Sequence, residues 1–507
     1  MNKKLLIVLL VPFFFFYGMP AHALEKENRL WEDETVYHIV IDRFNDANTE
    51  NNKGVDVREA TAFNGGDFEG IQKKLDYIKD LGFTTISLSP IFDNEAKGFA
   101  GYNVKDFYKT EEHYGSLKEF KQLVREAHKR QIRVIIEFPT FSVGSSNEWV
   151  KDPAKKEWFQ PNPRKLEGSS FNTKALNGLP RLDQSQPDVH AYIVDAAKWW
   201  IKKTDIDGYY IPFINEAPIS MWQDFNTEVK KEKKNFFMIG LDPDNDVEKA
   251  KAYEQAGFDG TLNVDGMEPV RKAFATSDRS SKEALANIES LQPGLEHPGR
   301  TGNLVDNLFT NRFTRDIVNE NRNPGTRWNL ALTYLYTVPG IPVIMYGSEI
   351  ALDGGSYPDN ARFMGFKAEK EIIDHATKVG KLRQELPALT RGSFDVLYEK
   401  DGMAVYKRAY KNEVIITAIN NTSKTQNVTL SSKDLADHME LRGLLAGDLV
   451  REKDGKYTII INREESEIYA LADKTGINKG FIGAILSVWI VFAIFILIIM
   501  KRSKRKR

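Results

Sequence analysis

Acidic and amide side chains are concentrated in one short stretch, residues 42–52, directly after the predicted strand 36–41. Gly65-Gly66-Asp67 follows soon after it. Ca²⁺ takes about six to eight oxygen ligands from carboxylates, amides and backbone carbonyls, and this stretch supplies such oxygens densely. The stretch therefore predicts a calcium site. A polar surface loop rich in Asx turns is the alternative, because it would have the same composition.

The elements around this loop alternate between short β-rich runs and amphipathic helical segments. Strands are predicted at 84–88, 133–138, 208–213, 236–241 and 260–264, and helices at 68–81, 117–129 and 189–203. A repeated strand-then-helix unit is typical of a parallel (β/α)₈ TIM barrel. Residues 142–182 lack periodicity and are predicted to be a short inserted excursion after the third strand. Beyond residue 386 the pattern changes to short alternating strands, which predicts a C-terminal antiparallel β-sandwich domain at 386–473.

Both ends of the chain have membrane-related patterns. Lys3 and Lys4, an apolar run at 5–17 and Ala21-His22-Ala23 predict a signal peptide at 1–23, with an uncleaved anchor as the alternative. After a polar linker at 474–479, residues 480–500 carry no charge and 501–507 are strongly basic. This pattern predicts a transmembrane helix at 480–500, an extracellular domain before it and a cytoplasmic tail. A buried core helix is the alternative.

Composition excludes two classes of function. The 507 residues have a net charge of -1, so no broad basic surface is expected to bind nucleic acid. The chain has no cysteine, which excludes disulfides and thiol chemistry. Together with the two ends, this composition fits a protein of the cell membrane on a Gram-positive bacterial surface.

Several motifs occur in a characteristic order: Phe63-Asn64-Gly65-Gly66-Asp67, Gly101-Tyr102-Asn103-Val104, Leu179-Pro180-Arg181-Leu182, Tyr346-Gly347-Ser348-Glu349. In this order they resemble the α-amylase family of glycoside hydrolases over nearly all of residues 30–472. The N-terminal part is similar to the cyclodextrin-forming and maltogenic bacterial amylases. The resemblance implies a catalytic barrel at 24–385 that acts on α-1,4-glucans.

The three carboxylate positions of that family are occupied by other residues here. The resemblance places Pro212 at the nucleophile, Leu241 at the acid/base and Phe309 at the third carboxylate. A retaining glycosidase needs a nucleophile and an acid/base on opposite sides of the scissile bond. We therefore expect no intact catalytic residue.

Nearby acids offer an alternative. Asp242, Asp306 and Glu216 lie within a few residues of the replaced positions. A one-residue slip along a strand turns a side chain to the opposite face, so we expect Asp242 and Asp306 to be ordinary solvated loop acids. The alternative is an active α-glucan hydrolase or transferase with relocated acids.

The main functional hypothesis is a membrane-anchored, non-hydrolytic family member, a pseudoenzyme that binds an α-glucan or oligosaccharide. An accessory subunit of another membrane protein is a further alternative. Tyr102 matches the family's sugar-stacking tyrosine, and a packed aromatic at the barrel rim is the alternative for this residue.

The resemblance also names the ligands of the calcium site. The matching positions are Asp46, Asn48, Asn51, Asn52, the Gly65 carbonyl and Asp67. The family's other calcium site uses an asparagine that is replaced by Phe141, so we expect one Ca²⁺.

Overall fold

The computed structural model describes residues 29–504, except 164, 167–170, 175, 245, 368–369 and 475–478. Eight parallel strands form its central sheet: Val36–Ile39, Thr85–Leu88, Arg133–Glu137, Gly208–Pro212, Phe237–Leu241, Gly260–Thr261, Gly302–Asn303, Ile341–Met345. Each strand pairs with the next, and the first pairs with the last. A parallel bridge between Leu262 and Gly302 joins the sixth strand to the seventh and closes the ring. The predicted (β/α)₈ barrel is confirmed.

The barrel strands are apolar because both of their faces are buried. Val134, Ile135 and Ile136 in the third strand are all buried, as is every residue of the fifth strand. This third strand ends on a carboxylate, Glu137. Chemistry on a barrel of this kind takes place at the C-terminal ends of the strands, so Glu137 lies at the functional end.

Helices surround the barrel: Phe68–Lys73, Leu75–Asp80, Leu117–Lys129, Glu148–Lys151, Pro187–Thr204, Ile219–Glu232, Val247–Gln255, Val264–Phe274, Lys282–Gly294, Phe313–Asn319, Pro324–Thr337, Lys370–Glu385, Pro387–Arg391. Ser116 and Glu119 form a capping box that fixes the start of Leu117–Lys129, and this helix has the predicted bounds. The single helix predicted at 68–81 is two helices, because the backbone of Lys74 is not helical.

A hairpin, Phe92–Asn94 with Val104–Thr110, and the excursion at 142–182 lie over the C-terminal ends of the strands. Bridges from Ser142 to Arg181 and from Phe159 to Leu182 close the excursion on itself, and the Gly144 N–H donates to the Val104 carbonyl of the hairpin at 2.9 Å.

The C-terminal domain is antiparallel. Its strands are Ser393–Lys400, Met403–Tyr410, Glu413–Asn420, Gln426–Ser431, Met439–Gly443, Leu449–Arg451, Lys456–Ile461, Glu465–Asp473. Six of them form one sheet, and Gln426–Ser431 pairs separately with Lys456–Ile461. Val405 and Ile416 share a small core with Val428, Tyr457 and Ile459, so the two sheets pack on each other as in a sandwich.

A last helix, Lys479–Lys504, covers the segment predicted to cross a membrane. Within the part of the chain that the structure describes, no helix is both long enough and apolar enough to do so. The predicted transmembrane helix at 480–500 is therefore wrong, and the cell-membrane location with an extracellular domain and a cytoplasmic tail loses its basis. The predicted signal peptide at 1–23 lies outside the described residues.

Arg408 fastens the C-terminal sheet to the barrel. Its buried guanidinium donates to the carbonyl oxygens of Thr337 at 2.7 Å, Leu389 at 2.9 Å, Ser393 at 3.0 Å and Gly392 at 3.1 Å.

We expect Arg408→Met to lower the free energy of unfolding by about 3–5 kcal/mol, because it leaves buried carbonyl oxygens without donors. Urea unfolding measures the change. The control is Lys400→Ala, an exposed residue on the neighbouring strand, which should change the free energy by less than about 0.5 kcal/mol. Equal effects of the two substitutions would contradict the role of Arg408.

Candidate active site

A narrow chamber of about 30 Å³ lies inside the barrel and extends to its functional end. Most of its walls are apolar side chains from the strands, including Ile135, Ile239 and Met345. A few polar side chains also line it: His38, Ser87, Tyr102, Glu137, Asp306, Asn307. A mostly apolar cavity with a few convergent polar groups is the usual form of a binding or active site.

Glu137 is the central acid of this chamber. Its side chain is buried, and the Tyr102 hydroxyl donates a hydrogen bond to Oε1 at 2.5 Å. Burial raises the pKa of Glu137 to about 8, although the hydrogen bond from Tyr102 acts in the opposite direction. Glu137 therefore carries a proton at neutral pH and can act as an acid.

His38 contributes a second polar group, and it is neutral. It is the register partner of Ser87 on the adjacent strand, and its Nδ1 lies 3.2 Å from the Ser87 hydroxyl. Burial, together with the positive charge of Arg312, lowers the pKa of His38 to about 4. The imidazole is thus uncharged across the neutral range.

Asp306 also lines the chamber and is buried. Its Oδ2 accepts a hydrogen bond from the backbone N–H of Phe313 at 2.8 Å. Among the described residues its Oδ1 has no hydrogen-bond partner. This oxygen is therefore available to a proton donor or to a developing positive charge.

The three replaced family positions offer no such group. Pro212 and Leu241 are register partners at the ends of the fourth and fifth strands, and both are buried. Phe309 is a wall of the chamber. The side chains at these three positions have no proton to give and no charge.

Phe309 is the centre of an aromatic cap over the chamber, formed by Tyr102, Phe141, Phe171, Phe213 and Phe309. The centroid of the Phe309 ring lies 5.1 Å from that of Phe213 and 5.8 Å from those of Tyr102 and Phe171. Phe213 also contacts Phe141 at 5.1 Å. The cap excludes water from Glu137 and so maintains the burial that raises its pKa.

The neighbouring acids are not the solvated loop residues that the sequence predicts. Asp242 and Asp306 are both buried. Asp242 accepts hydrogen bonds from the Tyr253 hydroxyl at 3.0 Å and from the backbone N–H of Asp244 at 2.9 Å, and it does not line the chamber. Glu216 forms an ion pair with Arg181 at 3.4 Å. Of the three candidates for relocated acids, Asp306 alone belongs to the chamber.

Tyr102 is buried, and its hydroxyl is engaged by Glu137. Its role in sugar stacking stays a prediction. The sequence interpretation overlooked Glu137 and His38. Glu137 could have been recognised as the one charged residue that ends the apolar run after Arg133.

The predicted calcium loop presents unpartnered oxygens. Asp46 Oδ1, Asn51 Oδ1 and Asn52 Oδ1 are buried and have no hydrogen-bond partner among the described residues. Gly65 has a φ of +97°, and a Cβ there would lie 2.8 Å from Asn52 Oδ1. Buried acceptors without donors at a closely approached glycine fit a cation that prefers oxygen.

Four side chains of the predicted set have protein partners. Asn52 Nδ2 donates to Asp46 Oδ2 at 2.7 Å. Asp67 accepts from the backbone N–H groups of Ala47, Asn48 and Gly70, and Asn48 Oδ1 accepts from the backbone N–H of Glu50. No group of three or more His, Cys, Asp or Glu side chains suited to a metal occurs among the described residues. A site here would therefore depend on amide and backbone oxygens.

Two family models match the chain. The model described as "Alpha amylase, catalytic domain" matches residues 38–385, and "Alpha-amylase C-terminal domain" matches residues 392–469. A cyclomaltodextrinase of Thermoanaerobacter pseudethanolicus is 29% identical over 421 residues, which are 79% of this chain and 72% of the relative.

Two solved structures are more similar in sequence. An α-amylase from Anoxybacillus is 47% identical with a TM-score of 0.85, and the match covers 89% of this chain and 100% of that one. An α-amylase from Geobacillus thermoleovorans, complexed with acarbose, is 44% identical with a TM-score of 0.83, covering 88% and 100%.

These relatives contradict the prediction of a non-hydrolytic pseudoenzyme, because they are named as amylases and a cyclomaltodextrinase. They likewise give no support to an accessory role beside a membrane protein. The prediction inferred a lost reaction from three positions and expected the neighbouring acids Asp242 and Asp306 to be solvated loop residues. The structure instead has Glu137 and Asp306 on one chamber.

The raised pKa of Glu137 should make stability depend on pH. In the unfolded chain this carboxyl loses its proton near its ordinary pKa of 4.5, whereas in the fold it keeps the proton until about pH 8. Its contribution to stability is therefore fully present below pH 4.5 and is lost as the pH rises to about 8.

We expect Glu137→Gln to reduce the pH-dependent loss in the free energy of unfolding by an amount on the order of a few kcal/mol. Urea unfolding from about pH 5 to about pH 8 measures it, with Glu148→Gln, an exposed glutamate, as the control. If wild type and Glu137→Gln lose stability in parallel over that range, Glu137 is not a protonated buried acid.

Proposed function

Because this chain belongs to the α-amylase family, we propose that it is a glycosidase that acts on α-glucans, with its acids relocated to Glu137 and Asp306. The observation that carries the proposal is that Glu137, at the end of the third barrel strand, lines one buried chamber together with Asp306, where burial raises its pKa to about 8. Glycosidases need a carboxylic acid whose pKa is raised, and burial is the usual cause of the raised value. The α-amylase structure with acarbose supports an α-glucan ligand.

In this proposal Glu137 gives its proton to the glycosidic oxygen while the bond from that oxygen to the anomeric carbon breaks. Asp306, whose Oδ1 has no partner among the described residues, offsets the positive charge that develops on the sugar. Water then adds to the anomeric carbon, and its proton returns to a carboxylate. Tyr102 positions Glu137 through its hydroxyl.

We also propose that the loop binds one Ca²⁺. Asp46, Asn51 and Asn52 would hold it with their unpartnered oxygens. The Gly65 carbonyl, Asn48 and Asp67 complete the set that the family resemblance implies. The ion would supply positive charge that ties the loop together and would take no part in the bond cleavage.

The activity test uses starch, maltooligosaccharides and cyclomaltodextrins at high protein concentration. We expect turnover that declines as the pH rises through about 8, since Glu137 then loses its proton. Glu137→Gln and Asp306→Asn should each lower kcat by about 10²–10⁴-fold.

The control for this test is Asp242→Asn, which alters a buried acid outside the chamber and should retain activity. A folded protein that cleaves none of these substrates, or activity that survives Glu137→Gln, would overturn the proposed function.

The calcium test compares melting temperatures with and without chelator. We expect the chelator to lower the melting temperature of the wild type and to leave Asp46→Asn unchanged, because bound ligand stabilises only the folded state. Glu50→Gln, an exposed acid of the same loop outside the ligand set, should respond like the wild type. A wild-type melting temperature that does not change when chelator is added would exclude the calcium site.

A further inference from the structure

Phe309 lies between two spaces. On one side its ring lines the narrow chamber that contains Glu137. On the other side it lines an open groove of about 830 Å³. Phe309 is thus a wall shared by the buried acid and the protein surface.

The groove has a floor and a rim of different chemistry. Phe171 and Phe309 supply aromatic surface, and the rim is polar: Lys174, Arg271, Thr310, Asn311, Asp316, Ser356. Aromatic faces beside hydrogen-bonding groups suit a chain of sugar rings, which have apolar faces and polar edges. The chamber, in contrast, has room for about one or two water molecules, far less than a glucosyl unit.

We propose that Phe309 is a gate that decides which α-glucan reaches Glu137. The proposal rests on the proposed function and adds a specificity-determining residue to it. In the arrangement that the structure has, a glucan in the groove is separated from the acid by the Phe309 ring, which packs against the Tyr102 ring. Rotation of the Phe309 ring joins the groove to the chamber.

The contacts of Phe309 allow the ring to move while the backbone stays in place. The Asn360 side chain donates to the carbonyl oxygens of Leu308 at 2.8 Å and Thr310 at 2.7 Å. The Phe309 N–H donates to Asn307 Oδ1 at 2.8 Å, and its carbonyl accepts from the Asn172 N–H at 2.6 Å. The ring packs against the rings of Tyr102, Phe171 and Phe213 and carries no hydrogen-bonding group. Rotation therefore breaks no hydrogen bond of the loop.

The gate also explains how a buried acid can be kept away from water and still contact a substrate. A permanently open mouth would admit water and return the pKa of Glu137 towards 4.5. A permanently closed one would admit no sugar. A movable ring at position 309 satisfies both requirements, and it selects glucans whose binding in the groove displaces the ring.

His38 reports on the gate without any need for turnover. It lines the chamber and is neutral, so its imidazole can react with diethylpyrocarbonate once the reagent enters. His438, whose side chain is 90% exposed, is the internal reference. Peptide mass spectrometry gives the labelling rate of each histidine in the intact chain.

We expect Phe309→Ala to raise the labelling rate of His38, relative to His438, by about tenfold or more, because closure no longer protects it. Phe309→Leu should give a smaller increase and serves if the alanine variant fails to fold. Phe363→Ala removes an exposed ring elsewhere and should leave the ratio unchanged. On maltooligosaccharides, Phe309→Ala should also change kcat/KM more for long substrates than for short ones.

The outcomes separate the gate from the reaction. Equal His38 labelling in wild type, Phe309→Ala and Phe309→Leu overturns the gate, even if the protein hydrolyses α-glucans. Faster labelling in both variants supports the gate, even if no variant shows turnover, in which case the proposed function alone has failed. Labelling of His38 in the wild type at the same rate as His438 also overturns the gate.

Discussion

The hydrogen bond from the Tyr102 hydroxyl to Glu137 lies in a chamber with room for only about one or two water molecules, and the site depends on this combination. Burial alone raises the pKa of the carboxyl, while the hydrogen bond limits the rise and fixes the direction of Oε1. The barrel provides the burial, because its apolar strands bring Glu137 to the end of the third strand. The hairpin loop carries Tyr102, and Phe141 lies between the third strand and the excursion.

One of the three positions that the family resemblance assigns to carboxylates also contributes to the environment of Glu137. Phe309 occupies that position and forms a wall of the chamber that contains Glu137. Phe213, which follows Pro212, contacts the same ring. The apolar cap over Glu137 thus includes one of the predicted replacements.

The fold could be predicted from sequence largely because strands buried on both faces are apolar runs, as at Val134-Ile135-Ile136, and because capping residues such as Ser116 mark helix ends. The site could not. The strand alternation rule failed for Asp306, since it lies beyond the strand Gly302–Asn303. The state of Glu137 depends on Tyr102, which is 35 residues away in the chain. Contacts between residues this far apart in the chain cannot be predicted from local residue spacing.

The proton on Glu137 can be observed directly by infrared difference spectroscopy of wild type against Glu137→Gln at neutral pH. A protonated carboxyl in an apolar chamber has a C=O stretch that is well separated from that of a carboxylate. The account predicts a protonated-carboxyl band that is present in the wild type, absent from the variant and lost above about pH 8. A difference spectrum at neutral pH that contains only carboxylate bands would contradict it.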